Sequence, residues 1–193
     1  ARAARAAAAG AALVKVGFAG VSSARRAARL AAAAVRGAGQ SGVILVAYAD
    51  ASRVGALPPA ELMRVASGAG ARGVLLDTAR KNGPSLLALL DHDALRRWVA
   101  DARAAGLLVA LAGKLAPADL PTVRELGADV AGVRGAACEG GRAGTVSAAR
   151  VRELRALLDA PLDAPLDTRP GAALSAPLRR LRGLEARAAA PRE

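Results

Sequence analysis

Five short apolar runs at regular spacing constrain the fold of this chain more than any other feature of its sequence. Each run has four or five residues, is rich in Val, Leu and Ile, and lacks a regular polar alternation. The runs cover residues 13–17, 43–47, 73–76, 107–111 and 130–133. Runs of this kind are typical of strands that are buried on both faces of a parallel sheet. Their first residues lie 30, 30, 34 and 23 positions apart, which leaves room for one helix between successive strands.

Helical stretches occupy the intervals between these runs. They cover about residues 22–36, 59–67, 91–105, 117–126 and 147–158. Ser23 and Asp91 stand where a side chain can cap a helix N-terminus, and Gly106 and Gly127 stand where helix C-terminal glycines belong. Alternating strands and helices predict a parallel α/β fold. A five-stranded doubly wound sheet and a section of a (β/α)8 barrel both fit this pattern.

The two ends of the chain differ in character from its middle. Residues 1–12 have the pattern of an Ala-rich helix that leads into the first strand, the chain begins with Ala, and its single Met is Met63. We therefore expect a first domain over residues 1–158 whose parent fold began earlier. Residues 159–193 contain five Pro among Ala, Asp and Arg, which predicts a disordered tail.

Composition excludes several classes of protein. Cys138 is the single Cys, so no disulfide scaffold exists, and no apolar run reaches the roughly 20 residues that span a bilayer. One His and one Cys cannot build a zinc site, and His92 is expected to be a solvated residue at a helix start. Trp98 is expected in the core because its spacing is helical. A free thiol and the lack of a recognisable export signal favour the cytoplasm.

The net charge of +12 raises the question of a nucleic-acid partner. Only three of the 28 basic residues are Lys, and this heavy use of Arg is typical of GC-rich coding. Residues 1–49 hold seven cations and no acid, a distribution that suits nucleic acid or a membrane surface. The chain has one Phe, one Tyr and one Trp, however, and aromatic side chains carry much of single-strand binding. We therefore expect neither nucleic acid nor a membrane as a partner.

The three lysines fall within or just after predicted strands, and α/β proteins place their functional groups where the C-terminal ends of strands pass into loops. Lys15 lies in the first run, Lys81 follows the third and Lys114 follows the fourth. An amine can be tuned to lose a proton and then acts as a base, an acid or a Schiff-base nucleophile, whereas guanidinium stays charged. A chance distribution of three residues is the alternative.

Two further groups at strand ends suggest chemistry. Asp77 and Lys81 are four positions apart in one loop, where the carboxylate can hold the ammonium or accept a proton from a substrate hydroxyl. A surface ion pair worth at most ~1 kcal/mol is the alternative. Gly113, Arg134 and Gly135, with the glycine-rich stretch that follows, suggest phosphate capture by backbone N–H groups and a guanidinium. The alternative is that these glycines only form turns.

Four motifs occur together and in order along the chain. They are Lys-Val-Gly at 15–17, Tyr-Ala-Asp at 48–50, Asp-Thr-Ala-x-Lys at 77–81 and Gly-Val-Arg-Gly-Ala-Ala-Cys at 132–138. On these motifs the chain resembles the (5-formylfuran-3-yl)methyl phosphate synthase family over residues 1–158. The resemblance implies a TIM barrel that condenses two molecules of glyceraldehyde 3-phosphate through a lysine Schiff base. This lyase-type reaction loses one phosphate and water, and the resemblance implies no metal and no other cofactor.

The resemblance also implies roles for residues of this sequence. Lys15 corresponds to the family's general acid/base, and Asp77 and Lys81 correspond to the groups that assist proton transfer and hold the substrate. The residues on the phosphate side of the family's site correspond to Gly113, Arg134 and Gly135.

Two departures from the family pattern affect the expected activity. The family's Schiff-base lysine lies in an Asp-x-Lys-x-Pro motif on an early strand, and no such motif occurs in this sequence. We therefore expect an N-terminally truncated chain, the C-terminal five βα units of the barrel, with little or no activity by itself. Lys114 stands where a small residue such as Ser is expected, and its ammonium can bind phosphate or crowd the site.

The alternative to an enzyme is a non-catalytic barrel remnant that binds a phosphosugar or a partner protein. Five strands of an eight-stranded barrel leave two open edges, and open edges favour self-association into a homo-oligomer.

Overall fold

Five parallel strands form the central sheet of the protein. The computed structural model describes residues 2–159, and it contains a strand at each of the five predicted positions. The strands are β1 (Leu13–Gly17), β2 (Gly42–Tyr48), β3 (Gly73–Asp77), β4 (Leu108–Ala112) and β5 (Val130–Gly132). Each boundary lies within one residue of the predicted one.

One helix precedes β1, and helices follow every strand of the sheet. They are α1 (Arg2–Ala8), α2 (Ala24–Ala38), α3 (Pro59–Gly68), α4 (Leu86–Leu89), α5 (His92–Ala104), α6 (Leu120–Glu125) and α7 (Ala148–Asp159). The sequence pattern did not predict α4, because a single turn of helix is too short to show an apolar period. A 3-10 turn at Pro117–Asp119 occupies the predicted start of α6.

The order of the strands decides between the two architectures that fit the sequence. The order is β1-β2-β3-β4-β5, and each strand is parallel to the next. A doubly wound sheet reverses its strand order at a switch point, whereas a (β/α)8 barrel adds every strand on the same side. The predicted α/β fold of TIM-barrel type, with five consecutive βα units, is therefore confirmed. Within residues 2–159, β1 and β5 each pair with a neighbouring strand on one side only.

One face of the sheet packs against the helices and forms the main core. Leu45 and Leu111 of the strands are completely buried there, and so are Ala27 and Ala31 of α2. Small Ala side chains allow the helix to approach the sheet closely, while each buried Leu contributes roughly 1.5–3 kcal/mol of transfer free energy. Trp98 of α5 lies in this core, as predicted.

The opposite face, which we call the inner face, has an apolar floor and polar groups toward one edge. Its buried residues are Ile44, Val46, Leu75, Ala110 and Ala112. Side chains alternate along a strand, so Lys15 shares this face with Ile44, its neighbour in the register. Tyr48 and Asp77 are opposite each other in the register of β2 and β3, and both end their strands. Their side chains therefore belong to the carboxyl edge of the sheet.

Helix ends follow the predicted capping pattern. Ser23 caps α2 and Asp91 caps α5, each by accepting a hydrogen bond from a backbone N–H of the first turn, at 3.3 and 2.7 Å. Gly106 and Gly127, close behind α5 and α6, have φ angles of 72° and 78°. Glycine adopts this left-handed conformation without the steric cost that a Cβ would add.

The glycine-rich loop after β5 contains structure that the sequence pattern did not indicate. Two 3-10 turns, at Gly135–Ala137 and Gly141–Ala143, flank a short strand, β6 (Cys138–Glu139). This strand pairs antiparallel with β7 (Thr145–Val146). The thiol of Cys138 is buried, which agrees with a packing role.

Residues 2–159 contain neither a membrane-spanning helix nor a cluster of metal-ligating side chains. None of the helices there has the length and apolar character needed to cross a membrane, and no group of three or more His, Cys, Asp or Glu could hold a metal. The last helix of the described residues, α7, ends at Asp159, and residues 160–193 of the predicted tail lie outside the described residues.

Candidate active site

Asp77 and Lys81 form an ion pair at the carboxyl edge of the sheet. Asp77 is the last residue of β3, and its Oδ1 lies 3.0 Å from Nζ of Lys81. The same ammonium donates to the carbonyl oxygen of Thr78, and Asp77 also accepts from the backbone N–H of Thr78 at 2.7 Å. The structure therefore brings together the two residues that the sequence spacing paired, and it holds them partly exposed to solvent.

Asp50 fixes the loop that carries Lys81. It lies two residues beyond β2, is only 6% exposed, and accepts hydrogen bonds from the backbone N–H groups of Ala79 (2.7 Å) and Arg80 (3.0 Å). Burial raises the pKa of Asp50, but these hydrogen bonds and the charge of Lys81 outweigh burial and leave the pKa below its ordinary value. Asp50 is therefore a carboxylate at neutral pH, and it connects the end of β2 to the loop that follows β3.

Tyr48 occupies the inner face between the lysine of β1 and the carboxylate of β3. Its phenol oxygen lies 2.7 Å from the position that a Cβ would take on Gly17. Burial raises the pKa of Tyr48, and the negative charges of Asp77 and Asp50 raise it further. The phenol is therefore a neutral hydrogen-bond donor at physiological pH.

Lys15 shares the inner face but is separate from the ion pair. It is exposed, stands opposite Ile44, and precedes Gly17 by two residues, so the two have the same orientation on β1. Within residues 2–159 its ammonium makes no hydrogen bond or salt bridge. The geometry leaves this group available to a ligand.

Gly113 and Lys114 connect the loops after β3 and β4. Gly113 has a φ of 112°, and a Cβ on it would lie 2.8 Å from Cγ2 of Thr78 and 3.1 Å from its backbone nitrogen. Glycine is therefore required for the close approach of the two loops. Lys114 has a φ of 57° and donates from Nζ to the carbonyl oxygen of Gly83 at 2.5 Å.

Arg134 and Gly135 lie after β5, at the far side of the sheet from Lys15. Arg134 is exposed, and its Nε donates to the carbonyl oxygen of Arg142 at 3.1 Å. Gly135 begins the 3-10 turn that brings Arg142 back toward the strand end. In the described part of the chain, no hydrogen bond or ion pair joins Arg134 or Lys15 to the Asp77–Lys81 pair.

Sequence reasoning did not assign roles to Tyr48 and Asp50, although it placed both at a strand end. One available signal was that Asp50 is the first acidic residue of the chain and follows 49 residues without a carboxylate. The other was that Tyr48 is the single Tyr. Neither signal indicates which atoms these side chains contact.

Comparison with known proteins shows which family has the same sequence pattern as this chain. The family described as 4-HFC-P synthase matches residues 1–155. A (5-formylfuran-3-yl)methyl phosphate synthase of Methanothermobacter thermautotrophicus is 48% identical over 124 residues, which cover 62% of this chain and 52% of the relative. The protein of the same name from Methanocaldococcus jannaschii is 38% identical over 154 residues, which cover 77% of this chain and 66% of the relative.

A third relative is a putative (5-formylfuran-3-yl)methyl phosphate synthase of Streptomyces griseus, 43% identical over 119 residues, which cover 61% of this chain and 48% of that protein. The chain thus spans about half the length of most curated relatives that it matches.

Solved structures agree with the barrel-type fold. A 3-hexulose-6-phosphate synthase has a TM-score of 0.55 and 25% identity, with 81% of this chain and 67% of that chain covered. A structure described as native KDPGal has a TM-score of 0.51 at 17% identity, with 82% and 66% covered, and supports the fold alone.

The strand order, the motifs at the carboxyl edge and the match over residues 1–155 lead to one conclusion: this chain belongs to the 4-HFC-P synthase family.

Proposed function

We propose that the protein carrying this chain makes (5-formylfuran-3-yl)methyl phosphate from two molecules of glyceraldehyde 3-phosphate, as a lyase-type synthase of methanofuran-type cofactor biosynthesis. One inorganic phosphate and two water molecules leave as the furan ring forms, so protons must move to and from substrate atoms at each elimination. The observation that carries this proposal is the Asp77–Lys81 pair at the carboxyl edge of the sheet, in a chain of this family.

The acid/base groups of the proposed reaction are those of the inner face. The carboxylate of Asp77 accepts a proton from the substrate, and Lys81, 3.0 Å away, holds the substrate and stabilises the charge that develops beside it. Lys15 has no protein partner in the described residues and acts as the general acid/base on the neighbouring part of the substrate.

The phosphate groups are proposed to bind along β4 and β5. Arg134 uses its Nε on the loop, and its two terminal nitrogens donate to no described residue, so they can bind a phosphate bidentately. Lys114 adds a second cation, and the backbone near Gly113 and Gly135 allows a close approach of the anion.

The Schiff base is assigned to a lysine that this sequence does not contain. In the family it belongs to an Asp-x-Lys-x-Pro motif, and the three lysines here have other proposed roles. Borohydride reduction of the 193-residue chain in the presence of glyceraldehyde 3-phosphate should therefore leave Lys15, Lys81 and Lys114 unmodified. Stoichiometric modification of Lys15 by the substrate would contradict its assignment as acid/base.

Product formation tests the proposal as a whole. We expect little furan aldehyde from glyceraldehyde 3-phosphate with the chain alone, and clear turnover when the part of the Methanothermobacter relative that this chain does not cover is joined to it. Failure of the joined protein, while the intact relative is active under the same conditions, would contradict the proposal.

The second candidate is a phosphosugar-binding remnant without catalysis, and the exposed cations Lys15 and Arg134, which within residues 2–159 make no hydrogen bond or ion pair with the Asp77–Lys81 pair, favour it. It predicts that glyceraldehyde 3-phosphate binds to the chain and that the joined protein still gives no product. Self-association through β1 and β5 would accompany it, and sedimentation of the chain measures that directly.

The same proposal places the protein in the cytoplasm, with a small phosphosugar as its partner and no nucleic acid. The free, buried thiol of Cys138 suits a reducing compartment. Binding of DNA or RNA that persists at moderate salt would count against this part of the proposal.

A further inference from the structure

The contact between Tyr48 and Gly17 is an unassigned feature of the inner face. The phenol oxygen of Tyr48 lies 2.7 Å, and its Cζ 3.9 Å, from the position of a Cβ on Gly17. Gly17 does not have a positive φ, so its backbone conformation alone does not call for glycine. The glycine is explained instead by the space that the phenol oxygen occupies.

The phenol stands between the two strands that carry the proposed acid/base groups. Gly17 follows Lys15 by two residues on the same face of β1, and Tyr48 is opposite Asp77 in the register of β2 and β3. The phenol oxygen reaches from the level of Asp77 to Gly17, so it lies on the face that carries both Lys15 and Asp77, where a ligand at this edge can contact it.

The phenol also lacks an acceptor. Within residues 2–159 its hydroxyl makes no hydrogen bond, although the side chain is half-buried. The nearby carboxylates of Asp77 and Asp50 favour the neutral form, which retains its proton for donation. Only Thr78 and Trp98 have a buried polar side-chain atom without a partner among the described residues, so the Tyr48 hydroxyl keeps contact with solvent and is free to donate to a ligand at this place.

We infer that the hydroxyl of Tyr48 donates a hydrogen bond to a carbonyl or hydroxyl oxygen of the bound phosphosugar, and that Gly17 provides the clearance this requires. That the ligand is a phosphosugar follows from the proposed function, on which this inference rests. It makes Tyr48 a substrate-binding residue at the centre of the inner face and Gly17 a positioning residue that acts through it.

A purely structural role is the competing explanation. The ring of Tyr48 packs on the inner-face cluster that contains Ile44 and Val46. Phe would preserve that packing, so Tyr48→Phe removes the hydroxyl and leaves the apolar contact. Gly17→Ala moves the phenol instead, and the move is feasible because the crowded atom is the end of a flexible side chain.

Because Tyr48 is the single Tyr of the chain, its ring gives one signal in a protein labelled with tyrosine enriched in 13C at Cζ. At neutral pH we expect glyceraldehyde 3-phosphate to shift this signal saturably in the wild type. The matched control is Gly68→Ala, at the end of α3, where a Cβ would meet nothing within 4 Å and where we expect the same shift. In Gly17→Ala the shift should be lost.

Calorimetry gives the second readout. Tyr48→Phe should weaken the binding of glyceraldehyde 3-phosphate about tenfold, since one hydrogen bond contributes roughly that factor. The double variant Gly17→Ala/Tyr48→Phe should bind no more weakly than Tyr48→Phe, because the glycine acts only through the phenol.

An unshifted 13C signal together with unchanged affinity of Tyr48→Phe would overturn the inference while the proposed function stands. If the 193-residue chain does not bind glyceraldehyde 3-phosphate while the joined protein forms product, the inference fails and the proposed function stands; if the joined protein also gives no product, the proposed function fails as well.

Discussion

The carboxylate of Asp50 lies 2.7 Å from the backbone nitrogen of Ala79 and so joins the end of β2 to the loop that follows β3. A second hydrogen bond, of 3.0 Å, comes from the N–H of Arg80. Both donors immediately precede Lys81, so this contact fixes the segment from which the ammonium reaches Asp77. Asp50 is a positioning residue for the Asp77–Lys81 pair.

Replacing the carboxylate tests that role. In Asp50→Asn, one side-chain oxygen becomes an amide nitrogen that cannot accept from the backbone, and a partly buried N–H loses its partner. We expect a loss of about 1–3 kcal/mol in the free energy of unfolding, measured with urea. The exposed carboxylate of Asp101 on α5 is the control, and Asp101→Asn should change stability by less than about 0.5 kcal/mol. Equal losses of unfolding free energy in the two variants would show that Asp50 does not hold the loop in place.

Stability should also depend on pH through Asp50. Its pKa is lowered in the folded protein, so as the pH falls the unfolded chain, with a carboxyl pKa of about 3.9, takes up the proton first. The contribution of Asp50 is therefore full above that value and is lost as the pH falls through the lower pKa of the folded state. We expect the urea midpoint to fall less steeply below pH 4 in Asp50→Asn than in the wild type. Parallel acid profiles would show that the lowered pKa does not stabilise the fold.

The ion pair of Asp77 and Lys81 should contribute little to stability. Both side chains are partly exposed, and such pairs are worth about 0–1 kcal/mol. We expect Lys81→Met to unfold within ~1 kcal/mol of the wild type, much like Asp93→Asn, which breaks the exposed Arg96–Asp93 pair of α5. A loss of several kcal/mol would show that the pair maintains the loop instead of serving a ligand.

Lys114 has a strained backbone conformation and carries an ammonium that is proposed to bind phosphate. Its φ of 57° is the one positive value at a non-glycine position within residues 2–159, and its ammonium is tied to the carbonyl of Gly83. Lys114→Gly removes both the strain and the cation. We expect stability to stay within ~1 kcal/mol and the affinity for inorganic phosphate to fall about tenfold, as measured by calorimetry. Unchanged phosphate affinity would remove Lys114 from the phosphate-binding residues.

The strands of this fold were predictable because their signal is local. Runs such as residues 43–47 are buried on both faces, and burial on both faces requires an unbroken series of apolar residues. Their order in the sheet is not a local property, and so the pattern alone left a doubly wound sheet and a barrel as alternatives. The strand order β1-β2-β3-β4-β5 decided between them only when strand pairing was known.

The candidate site was predictable only where its residues are close in sequence. Asp77 and Lys81 are four apart, and their pairing followed from the spacing. Asp50 acts on Ala79, 29 positions away, and Lys114 acts on Gly83, 31 positions away. Contacts over such separations depend on the packing of neighbouring loops, which alternation and motif spacing do not describe.

Turnover by the joined protein, with and without the Asp77–Lys81 pair, tests the central claim most directly. Asp77→Asn and Lys81→Met are each expected to lower the rate of furan aldehyde formation from glyceraldehyde 3-phosphate at least about 100-fold, the usual contribution of a positioned proton-transfer group. The wild-type joined protein and its Asp93→Asn variant should keep the full rate. If Asp77→Asn and Lys81→Met retain rates within a few-fold of the wild type, the pair is not the catalytic centre.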